Sequence, residues 1–188
     1  QHLTLEYIRR HYDPAATDIT LHPRMIVIHW TASPSLASAL ATFAPETLPP
    51  GRPELRRAGT VNVSAHFLVD RDGTIYHLMP EHWTARHTIG LNRIAIGIEN
   101  VGGPQWPLTI AQVEADAWLV RVMVAKYPAI RFLIGHHEYG RFRATPLWQE
   151  RDPTYFHGKP DPGADFMRRL RDAVPDLRLL DHYEHVGQ

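Results

Sequence analysis

The stretch of sequence that decides the fold is Met25-Ile26-Val27-Ile28, an uninterrupted apolar run that is followed directly by His29. A run without polar alternation is typical of a β-strand that is covered on both faces. Such strands belong to sheets with helices packed on them. In open sheets of this kind, sites gather where the strands give way to loops. The position of His29 at the end of the run therefore makes it a candidate site residue.

The rest of the chain predicts a single α/β domain with a mixed central sheet flanked by helices. Its 188 residues are enough for one domain with a sizeable core. We expect an N-terminal arm over 1–24, a core that carries the site over 25–174 and a C-terminal tail over 175–188. The expected strands are 25–28, 61–69, 74–79, 94–100 and 131–135, with a hairpin turn at 71–73. The expected helices are 3–11, 35–43, 109–127 and 163–174, with a long surface loop over 44–59 and an insertion over 139–156.

Composition excludes several classes of protein. Lys and Arg number 20 and Asp and Glu number 20, so no net positive charge indicates a nucleic-acid partner. No run of about 18 apolar residues indicates a transmembrane segment. The absence of cysteine excludes disulfides, thiolate metal ligands and cysteine nucleophiles. The HExxH, GxSxG and P-loop motifs are also absent, which removes three common catalytic frameworks.

The strand over 94–100 carries a second candidate. Its two-residue period puts the isoleucines at 94, 96 and 98 on one face and Ala95, Gly97 and Glu99 on the other. Two small residues ahead of a glutamate predict open space on that face. Glu99 could then act as a general base.

Further candidates follow the strand over 131–135 and lie in a proline-rich turn. His136 comes directly after Ile134-Gly135, and Asp161 stands between two prolines. Either histidine alone could be a core residue, and Asp161 alone could be a turn residue. Together, His29, His136 and Asp161 match an open catalytic zinc site, in which three protein ligands leave one position free. Lys159, two residues before Asp161, would place a cation beside the metal, although a surface lysine is the simpler explanation.

Five blocks, taken together, resemble the zinc N-acetylmuramoyl-L-alanine amidases. This family includes phage lysozyme-type amidases, bacterial cell-wall recycling amidases and peptidoglycan recognition proteins. The blocks occur in family order within residues 25–170, at 28–33, 63–73, 92–102, 135–138 and 159–163. The chain has an aspartate at the position of the third ligand and a glutamate in the Ile-Gly-Ile-Glu block. In this combination it resembles members of the bacterial recycling and periplasmic branch.

The resemblance implies a zinc ion, Zn²⁺, in a surface groove, with His29, His136 and Asp161 as ligands. It implies Glu99 as the catalytic carboxylate and Lys159 as the catalytic cation. His87 and Asn92 match family positions near the cleft, so the resemblance implies that they contact substrate. The two enlarged segments, 44–59 and the one between His136 and Lys159, depart from the family pattern and could border the groove.

The resemblance also implies a reaction: hydrolysis of the amide bond between N-acetylmuramic acid and L-alanine in peptidoglycan or muropeptides. Two alternatives stay open, a peptidoglycan-binding module without catalysis and a zinc hydrolase of another amide or peptide. The chain starts at Gln1, which fits a mature exported protein, although an artificial truncation explains it equally well. We expect a periplasmic, secreted or cell-surface location, with the cytoplasm and the oligomeric state left open.

Overall fold

A computed structural model of the chain describes residues 1–184 and contains a five-stranded mixed sheet. The strands are β1 (Met25–Trp30), β2 (Phe67–Val69), β3 (Ile75–His77), β4 (Ala95–Asn100) and β5 (Phe132–Gly135). Their order across the sheet is β3-β2-β4-β1-β5. β1 pairs in parallel with β4 and β5, β2 pairs in parallel with β4, and only the β2–β3 hairpin is antiparallel among these pairs. The predicted fold class, a single α/β domain with a mixed sheet and flanking helices, is confirmed.

The helices are α1 (His2–His11), α2 (Leu36–Phe43), α3 (Pro53–Arg57), α4 (Ile110–Lys126) and α5 (Ala164–Ala173), with 3₁₀ turns at His136–Phe142 and Pro175–Leu177. α3 lies inside the segment that was expected to be a loop, because Pro53 supplies the φ angle that the first helical turn needs. The expected tail over 175–188 begins with a 3₁₀ turn, and Leu180 bridges to Phe132 beside β5. Residues 185–188 of that expectation lie outside the described part of the chain.

Both faces of the sheet are covered, which explains the uninterrupted apolar sequence of β1. One face packs against α4 and α5. Its buried side chains include Ile26, Ile28, Ile96, Ile98, Leu133, Val120 and Leu170. The other face packs against α1 and the insertion that follows β5, and it includes Tyr7, Ile8, Met25, Val27, Ile134, Phe142 and Tyr155. Alternate residues of β1 therefore serve two separate cores.

Three expectations about the strands need correction. The strand expected over 61–69 is limited to Phe67–Val69. Ile94 precedes β4 and packs with the opposite core from Ile96, because the two-residue period holds only inside the strand. The strand expected over 74–79 is limited to Ile75–His77.

The start of α4 matches the expected N-terminus. The Thr109 side chain accepts a hydrogen bond from the Gln112 backbone N–H, and the Gln112 side chain accepts one from the Thr109 backbone N–H. This reciprocal capping box satisfies donors that the first helical turn leaves free. The helix ends before Pro128, which cannot continue it.

Candidate active site

The candidate residues meet at one edge of the sheet because parallel strands end there together. His29 is the penultimate residue of β1, and Glu99 is its directly paired neighbour on β4. His136 follows the end of β5, the strand on the other side of β1. Asp161 comes from the loop before α5 and is tied to this edge by His137, whose backbone N–H and ring Nδ1 lie 2.8 and 3.1 Å from the Asp161 carbonyl oxygen.

The side chains of His29, His136 and Asp161 converge on one point. His29 Nδ1 lies 3.0 Å from His136 Nδ1 and 3.2 Å from Asp161 Oδ2, and the third side of this triangle, from His136 Nδ1 to Asp161 Oδ2, is 3.1 Å. Ligands about 2.1 Å from a tetrahedral zinc ion lie about 3.4 Å apart, close to these separations. The three buried groups could hold a metal ion, and two imidazoles with one carboxylate form a donor set that suits zinc.

The pKa values of His136 and Asp161 favour the protonation states that bind a metal. Burial, followed by the nearby His29 ring, lowers the pKa of His136 to about 4, so its imidazole is neutral at physiological pH. Burial alone would raise the pKa of Asp161, but hydrogen bonds with His136 and His29 outweigh burial and hold that pKa well below its usual range. A neutral imidazole and an ionised carboxylate are the forms that bind metals.

Glu99 is buried beside the triad of His29, His136 and Asp161. Its Oε2 atom has no hydrogen-bond partner among the described residues. Burial raises the pKa of Glu99 well above its usual value, and the negative charge of Asp161 raises it further, while Lys159 and Arg52 oppose that rise. A carboxylate with a raised pKa and a free oxygen is suited to proton transfer near neutral pH.

Lys159 is partly buried and lines the same cavity as the triad and Glu99. Its positive charge lowers the pKa of both Glu99 and His136. The structure therefore brings together all five residues that the sequence assigned to the metal and to catalysis.

The cavity that contains these residues has a volume of about 350 Å³. Its floor is the sheet edge, and three segments outside the sheet contribute to its outer wall. Tyr7 belongs to α1, Arg52 and Leu55 to the segment over 44–59, and Tyr155 and His157 to the insertion after β5. Both enlarged segments do border the cavity, as the sequence suggested.

Arg86 joins the three segments of this wall. Its guanidinium lies 4.6 Å from the centre of the Tyr7 ring. It donates hydrogen bonds to the Leu55 carbonyl oxygen at 2.7 Å and to the Tyr155 hydroxyl at 3.1 Å. A buried side-chain contact between His11 Nδ1 of α1 and Glu150 Oε1 of the insertion, 3.0 Å apart, adds a second connection. Side-chain contacts, rather than sheet pairing, hold the wall together.

His87 and Asn92, the two expected substrate contacts, also line the cavity, but their polar atoms already have partners inside the chain. His87 Nδ1 lies 3.0 Å from His29 Nε2. The Asn92 side chain accepts hydrogen bonds from the backbone N–H groups of His87 and Thr88 and donates one to the Tyr12 hydroxyl. Contact with substrate stays a prediction for both residues, and the observed hydrogen bonds give both a structural task.

The structure corrects the expectation of open space on the Glu99 face. A Cβ atom at Gly97 would lie 2.8 Å from the His87 ring, so that ring already fills the space beside the strand. The small size of Gly97 therefore reflects a bulky neighbouring side chain and not an empty groove. Arg86 carried no comparable signal, because its partners are carbonyl groups of residues far away in the chain.

Comparison with known proteins identifies the family. The family model for N-acetylmuramoyl-L-alanine amidase matches residues 19–164. No curated protein sequence matches the chain significantly.

Solved structures share the fold. The N-acetylmuramoyl-L-alanine amidase LysC from Clostridium intestinale is 22% identical, with a TM-score of 0.55 over 85% of this chain and 93% of its own. The amidase AmiD from E. coli, solved with anhydro-N-acetylmuramic acid-L-Ala-D-γ-Glu-L-Lys, is 25% identical, with a TM-score of 0.50 over 70% of this chain and 56% of its own. Peptidoglycan recognition protein-LE, solved with tracheal cytotoxin, is 17% identical, with a TM-score of 0.58 over 94% of this chain and 93% of its own. The chain therefore belongs to the N-acetylmuramoyl-L-alanine amidase family, and the prediction that it is an amidase is confirmed.

Proposed function

We propose that this amidase depends on zinc and hydrolyses the amide bond between N-acetylmuramic acid and L-alanine in peptidoglycan or muropeptides. One observation carries the proposal: His29, His136 and Asp161 converge within 3.2 Å of one another, with Glu99 on the neighbouring strand. The parallel pairing of β1 with β4 and β5 keeps His29, Glu99 and His136 at fixed separations, as a catalytic site requires, and His137 holds the Asp161 loop at the same edge.

Zinc bound by the three ligands would supply a Lewis acid that activates water and polarises the scissile carbonyl. Glu99 takes a proton from the attacking water and delivers it to the leaving amine of L-alanine. Its buried position supports this role, because the raised pKa strengthens the carboxylate as a base and lets it hold the proton between the two steps.

Lys159 supplies positive charge where negative charge develops. During attack the carbonyl oxygen becomes an oxyanion, and a cation held in place beside it stabilises that charge more than bulk solvent does. Lys159 is partly buried in the cavity wall, so part of its hydration is already lost before the substrate binds. This arrangement favours the transition state over the neutral ground state.

The substrate class is proposed from the family and from the cavity. AmiD was solved with a muramyl peptide that contains the bond in question. The cavity of this chain combines apolar side chains with charged ones, and it is large enough for the groups that flank a single amide bond. Among residues 1–184, no helix is both long and apolar enough to cross a bilayer. We place the activity in the periplasm or at the cell surface, where peptidoglycan lies.

The test is to incubate the zinc-loaded protein with three substrates: intact sacculi, soluble muropeptides with normal or 1,6-anhydro sugar, and unrelated peptides. Mass spectrometry should detect free stem peptide and the muramyl sugar from at least one muramyl substrate. Binding of muropeptides without release of stem peptide would instead establish a binding module. Cleavage confined to the unrelated peptides would establish another amide hydrolase.

A further inference from the structure

His87 lies between a candidate metal ligand and a backbone carbonyl group. Its Nε2 atom is 3.0 Å from the Ala95 carbonyl oxygen, and its Nδ1 atom is 3.0 Å from His29 Nε2. The other nitrogen of His29, Nδ1, points to His136 and Asp161. The chain of contacts therefore runs from a β4 carbonyl through two imidazole rings to the candidate metal position.

The Ala95 carbonyl group sets the direction of both hydrogen bonds, the one from His87 and the one between His87 and His29. A carbonyl oxygen only accepts, so the neutral His87 ring carries its proton on Nε2 and presents a bare Nδ1. Two bare nitrogens 3.0 Å apart would repel, so His29 carries its proton on Nε2 and donates it to His87. His29 Nδ1, which faces His136 and Asp161, is then the nitrogen left to bind a metal ion; without a metal it can instead carry a proton towards Asp161.

We propose that His87 is a positioning residue that fixes His29 in the tautomer whose Nδ1 atom binds zinc. The inference rests on the proposed zinc site and goes beyond it, because it assigns His87 a task other than contact with substrate. Partners of this kind orient a metal-binding imidazole and increase its basicity.

Surrounding residues hold the His87 ring in place. Gly97 leaves the room that the ring occupies, since a Cβ atom there would lie 2.8 Å from it. The Asn92 carboxamide oxygen accepts hydrogen bonds from the backbone N–H groups of His87 and Thr88 at 2.9 and 2.7 Å. These hydrogen bonds fix the backbone that carries the ring. The need to accommodate the His87 ring beside His29 explains why a glycine occupies position 97 of β4.

Thr88 offers a matched control because it touches the same two rings. Its hydroxyl oxygen lies 2.9 Å from His87 Nδ1 and 3.5 Å from His29 Nε2. Thr88→Val keeps the shape of the side chain and removes only the hydroxyl. It leaves the carbonyl–His87–His29 chain complete, so it should change zinc affinity by no more than about twofold.

The first experiment measures zinc affinity of the full chain by competition with a chelator of known affinity. His87→Leu should bind zinc about 10- to 100-fold more weakly than the wild type, as expected for loss of a partner behind a ligand. His87→Asn offers an amide oxygen close to the place of Nδ1 and should recover much of that loss. Wild-type affinity in a folded His87→Leu variant would overturn the inference, whereas a wild type that binds no zinc would overturn the proposed function and the inference with it.

The second experiment does not depend on a variant that folds. Long-range ¹H–¹⁵N NMR spectra of the zinc-loaded wild type, labelled with ¹⁵N in histidine, distinguish the two tautomers of each ring. We expect the proton on Nε2 in both His29 and His87. A proton on Nδ1 of His29 would contradict the inference even if zinc still binds.

Discussion

The candidate metal ligands and the outer wall of the same cavity are built in different ways. His29 and His136 stand at the ends of neighbouring parallel strands, so sheet pairing fixes their separation. The wall comes from α1, the segment over 44–59 and the insertion after β5, which meet through Arg86 and its hydrogen bonds. The different construction suggests different tasks: sheet pairing fixes the ligands, whereas side-chain contacts shape the border of the cavity. Changes to the ligand side should therefore abolish hydrolysis, and changes to the wall should adjust the use of substrate.

The largest effect is expected from His136→Ala. Loss of one of three protein ligands leaves only two, too few for the three-ligand site that catalytic zinc requires. Zinc content should fall far below one equivalent, and muropeptide hydrolysis should fall to the background rate. Exposed His182, which pairs only with Asp181 among the described contacts, provides the control His182→Ala, which should keep both zinc and activity.

Glu99→Gln should separate catalysis from metal binding. The substitution keeps the size of the side chain and removes the base, so kcat should fall by about 10²- to 10⁴-fold while zinc stays bound. Steady-state kinetics and metal analysis on the same preparation check both statements. If kcat remained near the wild-type value, proton transfer would have to be assigned to another group.

Lys159→Met should lower kcat by about 10²- to 10³-fold, the usual cost of losing one group that stabilises an oxyanion. KM should change much less, because the ground-state carbonyl carries no full charge. Lys159→Arg keeps the charge and should recover part of the rate. An equal loss in both variants would show that the position, rather than the charge, is what matters.

The wall is tested by Tyr155→Phe, which removes only the hydroxyl that accepts a hydrogen bond from Arg86. One such bond contributes about 1 kcal/mol, so the effect on hydrolysis should be a change of a few-fold in KM with kcat preserved. Kinetics with sacculi and with soluble muropeptides should show different KM changes for the two substrates. A loss of kcat as large as that of Lys159→Met would show that the wall and the ligand side are not separate.

The smallest effect on hydrolysis is expected on the opposite face of the sheet, at Asp116 of α4. Burial raises the pKa of Asp116 from 3.8 to about 7, although a hydrogen bond from Asn100 opposes the rise. The protonated carboxyl contributes stability that is fully present below pH 3.8 and is lost as pH rises through about 7. At about 1.4 kcal/mol per pKa unit, the loss at high pH is on the order of 4 kcal/mol.

Asp116→Asn cannot ionise and should remove this part of the pH dependence while kcat stays within about twofold of the wild type. Urea unfolding of both proteins at pH 5 and pH 8 measures the difference. Parallel stability changes in the two proteins would show that Asp116 does not titrate in this range.

The approximate positions of the strands, and the convergence of the five candidate residues, could be predicted because their signals are local or repeat along the chain. The apolar run before His29, the capping residue Thr109 and the Ile-Gly-Ile-Glu block each report on neighbours in sequence. Asp116 could have been found by the same logic, since it shares a helix face with Val113 and Val120.

The wall and the task of His87 could not be predicted, because they depend on pairs far apart in the chain. Arg86 reaches Leu55 and Tyr155, and His11 reaches Glu150. Such contacts leave no periodic pattern in the sequence. The small residue Gly97 signalled a close neighbour, but only the structure identifies that neighbour as His87.

The most direct test of the central claim is to titrate zinc into the metal-free protein while following release of stem peptide from a muropeptide. The account predicts no activity without metal, a rise in proportion to added zinc and a plateau at one equivalent. Activity that is already complete in the metal-free protein, or that never appears with zinc, would contradict the assignment of His29, His136 and Asp161 as the centre of this amidase.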